Sequence, residues 1–282
     1  MTTRTHAAPG GHVVLAPHAD DAVWSVGARL ARWAAEGRRT TVVTVFSGPA
    51  DTVFTGPAET VFTGPAAGPA EASGTWRKTA DPRVRQAEDA AACAELGAVL
   101  VPLGFTDAAL RTGAGGSGFL YSAPRRLLGP RHPADARLLE EVRAALAPLC
   151  AGPVTVHAPL AAGGHVDHRL VRGAVEALAP GRTVWYEDFP YRLRGRDHAG
   201  LRPRTEPLPA GAVERWLSAA GRYAGQARAH FGSVPALREA LLARARGHGD
   251  GDGHRLADRH WLPAAGGRPA RTAEGGRDPR RA

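Results

Sequence analysis

The sequence predicts a three-layer α/β fold around a largely parallel sheet, and three observations carry that prediction. Short β-branched runs without polar alternation, such as HVVLA at 12–16, recur along the chain, as expected of strands covered on both faces. Amphipathic helical patterns alternate with these runs. The first links are also short, and a strand–helix–strand unit of that kind is parallel.

HVVLA (12–16) is the first strand. In AVWSVGARLARWAAE (22–36), Val23, Val26, Leu30 and Trp33 fall on one helical stripe, and Gly37 supplies a stop. RTTVVTVF (39–46) is the second strand. After an interruption the rhythm resumes with a helix over 83–96 and the strand AVLVPL (98–103). A helix over 134–149, the strand PVTVHAP (153–159), a helix over 167–179 and the strand RTVWYEDFP (182–190) follow. This order is that of a Rossmann-like domain. Beyond 190 the pattern loosens into helices near 210–224 and 235–246, expected to pack against the rest. On this reading residues 1–263 form one domain whose C-terminal part, 191–263, is helical, and 264–282 are a disordered basic tail.

The interruption is a repeat. VFSGPADT, VFTGPAET and VFTGPAAG run consecutively from Val45 to Gly68. Each copy carries a Gly-Pro that breaks regular structure, and the unit is too short for a solenoid. The copies read as a loop insertion at about 47–75, after the second strand.

Composition narrows the function. The net charge of +9 invites a polyanion-binding reading, but the chain has a single lysine, Lys78, and its arginines are scattered or crowded into RPARTAEGGRDPRRA. That pattern argues against a phosphate-tracking groove and against a specific nucleic-acid partner. No run of roughly eighteen apolar residues predicts a membrane span. MTTRTHAAPGG lacks the layout of a secretory signal, so a cytoplasmic protein is expected. Cys93 and Cys150 have no CxxC partner spacing and read as small buried hydrophobes rather than zinc ligands.

Two clusters carry chemistry. His18-Ala19-Asp20-Asp21 follows the first strand, and His165-Val166-Asp167-His168 follows PVTVHAP and a Gly163-Gly164 turn. Parallel topology brings both to the same edge of the sheet, beyond the carboxyl ends of the strands where ligands gather. Taken singly, the paired aspartates suit helix capping, dipole complementarity or a magnesium site, and the second cluster suits a surface turn with Asp167 as N-cap. Taken together, two imidazoles and a carboxylate suit a catalytic divalent metal, with His18, Asp21 and His168 as ligands. Asp20, left off the metal, is then where a general base belongs, and His165 flanks the other side to meet a developing oxyanion or protonate a leaving group. Zinc and iron(II) both fit such ligands.

APHADDAVWSVG and GGHVDHRLV resemble the two signature motifs of the PIG-L/LmbE-like deacetylases. RVRQAEDAAACAELGA, LGFTDAALR, WYEDFPYR and RYAGQARAHFG extend the resemblance over roughly 12–235, toward a bacterial branch acting on glycopeptide antibiotics and other natural products. The resemblance implies a zinc-dependent hydrolase that removes an N-acetyl group from an amino sugar or glycoconjugate. It places the metal on His18, Asp21 and His168, the base at Asp20, oxyanion stabilisation at His165, and substrate contacts at Arg85 and Asp107. Two departures stand out. Ala22 replaces a glutamate found in many relatives, and Ala161-Ala162-Gly163-Gly164 lacks a tyrosine that assists some of them. An amidase for a larger acyl group, or a non-catalytic sugar- or metal-binding protein, would use the same scaffold.

Overall fold

The computed structural model describes residues 11–48, 81–113, 118–193, 198–249 and 255–264. The repeat insertion beyond Gly48 and the basic tail beyond 264 lie outside them. The strands are β1 (His12–Ala16), β2 (Thr40–Thr44), β3 (Val99–Pro102), β4 (Thr155–Pro159), β5 (Thr183–Tyr186), β6 (Leu201–Pro207) and β7 (Ala257–Pro263). The helices are α1 (Asp21–Ala35), α2 (Pro82–Glu95), the short α3 (Pro124–Leu127), α4 (Leu138–Leu146), α5 (Val166–Leu178), α6 (Ala210–Ala220), α7 (Ala224–Phe231) and α8 (Val234–His248).

The strands form one sheet in the order β3-β2-β1-β4-β5-β7-β6. Pairing is parallel from β3 through β5, while β7 runs antiparallel to both β5 and β6. The strand order turns back between β1 and β4, and that crevice is where an open α/β sheet binds its ligand. Alternate residues of β1 serve two cores. Val14 and Ala16 join the cluster with α1, α2, α6 and α8, whereas Val13 and Leu15 join the cluster with α4 and α5. A strand buried on both faces needs apolar residues at every position, which is why it shows no alternation.

The predicted stripe of α1 is buried in full. The helix carries a further contact that no periodicity reveals: a Cβ at Gly27 would meet Cδ1 of Trp216 at 2.3 Å. The bare backbone lets the α6 indole lie against α1 and donate to the Val23 carbonyl at 2.7 Å. Cys93 and Cys150 are free and buried.

The region after 190 departs from expectation. It is not helical throughout, because β6 and β7 extend the sheet. LRPRTEP is mostly exposed and holds two prolines, which an edge strand tolerates. The expected helix over 210–224 is α6, which ends at Ala220, with a further helix, α7, following it from Ala224, and the expected strand over 182–190 ends at Tyr186. The expected helix over 134–149 is instead a 3-10 turn at Pro133–Asp135 followed by the shorter α4.

A histidine cluster is buried among these strands. His12 stacks on Trp33 with ring centroids 3.9 Å apart, and its Nδ1 lies 3.0 Å from Nε2 of His157. Burial, reinforced by nearby arginines, lowers His12 and His260 to about 4 and holds His157 well below its usual range. Below an ordinary value of 6.5 the unfolded chain binds protons that the folded chain refuses until about pH 4, so stability falls with pH across that window. In urea unfolding between pH 7.5 and 4.5, the His157→Leu variant should lose less stability than the parent. Parallel curves would show that His157 is not held neutral in the native state.

Candidate active site

His18 leaves β1 two residues past its end, and Asp21 opens α1. The His18 backbone N–H donates to Asp21 Oδ2 at 2.8 Å, closing the turn. Asp20 occupies the N-cap position, yet its side chain makes no capping bond. Instead, Asp20 Oδ1 accepts from Arg85 Nη2 of α2 at 2.7 Å. Capping therefore does not account for Asp20.

The second cluster is delivered by a tight turn after β4. Ala161 adopts φ 55°, and Gly163 and Gly164 both adopt φ 78°. His165, not Asp167, caps α5: its Nδ1 accepts the Asp167 N–H at 3.2 Å. This corrects the sequence expectation, because the buried Asp167 carboxylate turns inward. Its Oδ2 lies 3.0 Å from His18 Nε2 and accepts the Ala108 N–H, while Oδ1 takes Arg111 Nη1 at 2.6 Å.

Asp21 Oδ2 stands between the two motifs, 3.3 Å from His18 Nδ1 and 3.3 Å from His168 Nε2. Donors about 2.0–2.1 Å from a tetrahedral ion sit about 3.3 Å from one another, so the two Asp21–histidine spacings suit a small divalent ion. Each histidine gives its other nitrogen to a carboxylate: His18 to Asp167, and His168 Nδ1 to Asp188 Oδ1 at 2.6 Å. Outer partners of this type fix the ring and the tautomer of a metal-binding histidine. Ligand atoms of His18, His165 and His168 lie within 4.8 Å of one another, as do those of His18, Asp107 and Asp167. The latter set is the poorer metal site, since Arg111 and the Ala108 amide already hold both Asp167 oxygens.

Burial favours neutral His18, but the carboxylates of Asp107, Asp167 and Asp21 overcome it and raise the imidazole well above its usual range. His168 is raised in the same way by Asp21 and Asp188 against burial. Asp21 is held below the carboxylate range by these two rings despite its burial. His165 is the opposite case. Burial and the neighbouring His18 keep it well below its usual range, so it is a neutral ring. With Nδ1 accepting, its proton lies on Nε2.

A cleft of about 580 Å³ opens over these groups. Its lining includes His18, Asp20, Asp21, His165 and His168, with Arg85 and Asp107 on one wall. All seven residues named from the sequence thus meet in one place, and Arg85 lies 3.5 Å from Asp107 as well as touching Asp20.

Residues 13–179 match the PIG-L family, described as GlcNAc-PI de-N-acetylase. The chain belongs to that family. A curated relative, 2'-N-acetylparomamine deacetylase of Streptomyces fradiae, is 35% identical over 196 residues, covering 67% of this chain and 61% of that protein. Among solved structures, the A40926 pseudoaglycone deacetylase Dbv21 superposes with a TM-score of 0.66 at 24% identity, covering 93% of this chain and 99% of that one. The zinc-inhibited form of teicoplanin deacetylase Orf2 gives 0.66 at 22% identity, with coverages of 90% and 99%. At such identities the two structures establish the fold shared with this PIG-L chain.

Several residues of the site lie within LGFTDAALR and WYEDFPYR but have no role assigned to them from the sequence. Asp188 lies in WYEDFP, which reads as strand; only the early end of β5 exposes it to His168. Arg111 sits in a loop of unremarkable composition. Tyr191, after β5, lines the cleft with its ring edge-on to His168 at 5.4 Å. Its ring lies against the Ala161–Gly164 turn: a Cβ at Gly163 would meet Tyr191 Cδ1 at 2.4 Å. Gly163→Ala combines that clash with a strained left-handed backbone and should cost about 1–3 kcal/mol in urea unfolding. The Tyr191→Ala background should recover the part due to the ring; an unchanged cost in both would assign the whole effect to the backbone.

Proposed function

We infer that this chain is a metal-dependent N-deacetylase, with zinc as the ion and iron(II) as the alternative its donors admit. It acts in the cytoplasm on an N-acetylated amino sugar of a natural product, and residues 1–263 form its catalytic unit. The observation that carries the reading is Asp21 set 3.3 Å from both His18 and His168, with Asp20 beside them on the cleft and off that donor set. The name of the curated Streptomyces fradiae relative supports the substrate class.

When bound, a divalent ion polarises the acetamide carbonyl and acidifies a water. Asp20 is the general base. Arg85 holds its Oδ1, which leaves Oδ2 to accept the water proton as oxygen adds to the carbonyl carbon. Neutral His165 donates its Nε2–H to the carbonyl oxygen as charge builds there. When the C–N bond breaks, the nitrogen takes the proton held by Asp20, giving acetate and a free amine. Arg85 and Asp107 on the wall contact sugar hydroxyls, and the cleft volume admits an amino sugar with part of the group it is attached to.

Acetate release from N-acetylated amino sugars tests the reading directly; release of a longer acid alone would make the chain an amidase. Asp20→Asn should keep its metal content and lose about 10²-fold or more in turnover, as for a missing general base. His168→Ala should lose the metal itself, measured by elemental analysis. Near-normal turnover of metal-loaded Asp20→Asn would overturn the assigned base.

A further inference from the structure

The geometry points to Arg111 as a positioning residue for the metal centre, acting through Asp167 on His18; this rests on the metal reading above. Arg111 belongs to the segment between β3 and α3, far from both motifs in sequence, and is buried. Its Nη1 donates to Asp167 Oδ1 at 2.6 Å and to the Thr106 carbonyl at 3.1 Å. Its Nη2 forms an ion pair with Asp135 Oδ2 at 3.0 Å, and that same oxygen accepts the Tyr121 hydroxyl at 2.7 Å. The guanidinium carbon sits 5.4 Å from the ring centres of both Phe46 and Tyr121.

This is a two-point anchor. Asp167 is fully buried, and a buried carboxylate loses its place without a paired cation. Arg111 supplies the cation and fixes the direction, because a buried guanidinium ion-paired with Asp135 and lying over the Phe46 and Tyr121 rings has little freedom to turn. With Oδ1 so fixed, Oδ2 faces His18 Nε2 at 3.0 Å. That contact orients the ring so that Nδ1 stays 3.3 Å from Asp21. The arginine touches no metal donor itself; its effect passes through one carboxylate.

The test is zinc affinity of the full-length, metal-stripped protein, measured by competition with a chromophoric chelator well below the melting temperature. Arg111→Met should weaken zinc binding about 10- to 100-fold, the usual consequence of losing an outer partner of a ligand. In an Asp167→Asn background the same substitution should add little, since the path is already cut. A purely structural role would instead lower the melting temperature and leave the two effects additive. Arg111→Lys keeps the charge but cannot span Asp167 and Asp135, so it too should bind zinc about tenfold more weakly; it serves where the methionine variant does not fold. Parent-like affinity in either folded variant, or additivity with Asp167→Asn, overturns the inference. A parent that takes up neither zinc nor iron(II) overturns the metal reading itself, which separates the two failures.

Discussion

The site depends on one electrostatic constraint: too many carboxylates are buried together to stand without cations. Asp20, Asp21, Asp107, Asp167 and Asp188 are all buried around one cleft. Isolated ions in such surroundings each cost several kcal/mol. Arg85 bridges Asp20 and Asp107, and Arg111 bridges Asp167 and Asp135. Among the described residues no guanidinium is paired with Asp21 or Asp188; both face imidazoles instead. The raised proton affinities of His18 and His168 express that deficit. A divalent ion held by the proposed Asp21, His18 and His168 donors would answer the same deficit, and protons would then compete with it for one place.

Sheet topology makes this concentration of charge possible. Parallel pairing of β1 with β4 sets the ends of both strands at one edge, so motifs 147 residues apart by their first histidines, His18 and His165, become neighbours with ring centres 5.0 Å apart. The cost is paid locally in backbone conformation. Ala161 at φ 55° and two successive left-handed glycines reverse the chain within four residues. Unfavourable backbone of this kind persists where surrounding contacts over-determine it; here the Asp188 carboxylate accepts the Ala162 N–H at 3.2 Å and the Tyr191 ring covers Gly163.

What was legible in the sequence follows from which forces are local. β1, β2 and α1 were readable because two-sided burial and a helical stripe each impose a pattern within a few residues. The motif residues were readable because histidines beside aspartates at strand ends have few local explanations. β6 escaped notice since an exposed edge strand with Pro203 and Pro207 shows neither alternation nor an apolar run, and β7 because its buried positions include Asp258 and His260, which break the apolar run of an interior strand. Arg111, Asp188 and Tyr191 escaped for a different reason: their roles exist only across the fold. The capping role assigned to Asp167 failed on the same account, because a local hydrogen bond lost to a buried cation and a ring 149 residues away.

The two arginines divide the work in a way that explains why both belong to, or reach, the segment after β3. Arg85 ties the first motif, through Asp20, to Asp107 of that segment; Arg111 lies in the segment and ties it to Asp167 of the second motif. The segment is thereby clamped to both histidine–aspartate clusters at once. Lysine would serve poorly in either position, as one ammonium cannot present a rigid fork to two carboxylates. Clamping matters because Asp107 must be presented to the cleft by a loop, and loops hold side chains loosely unless something fixes them. The same guanidinium contacts that neutralise the buried acids therefore also shape this wall of the cleft. Charge balance and the shape of the cleft are two consequences of one set of bonds.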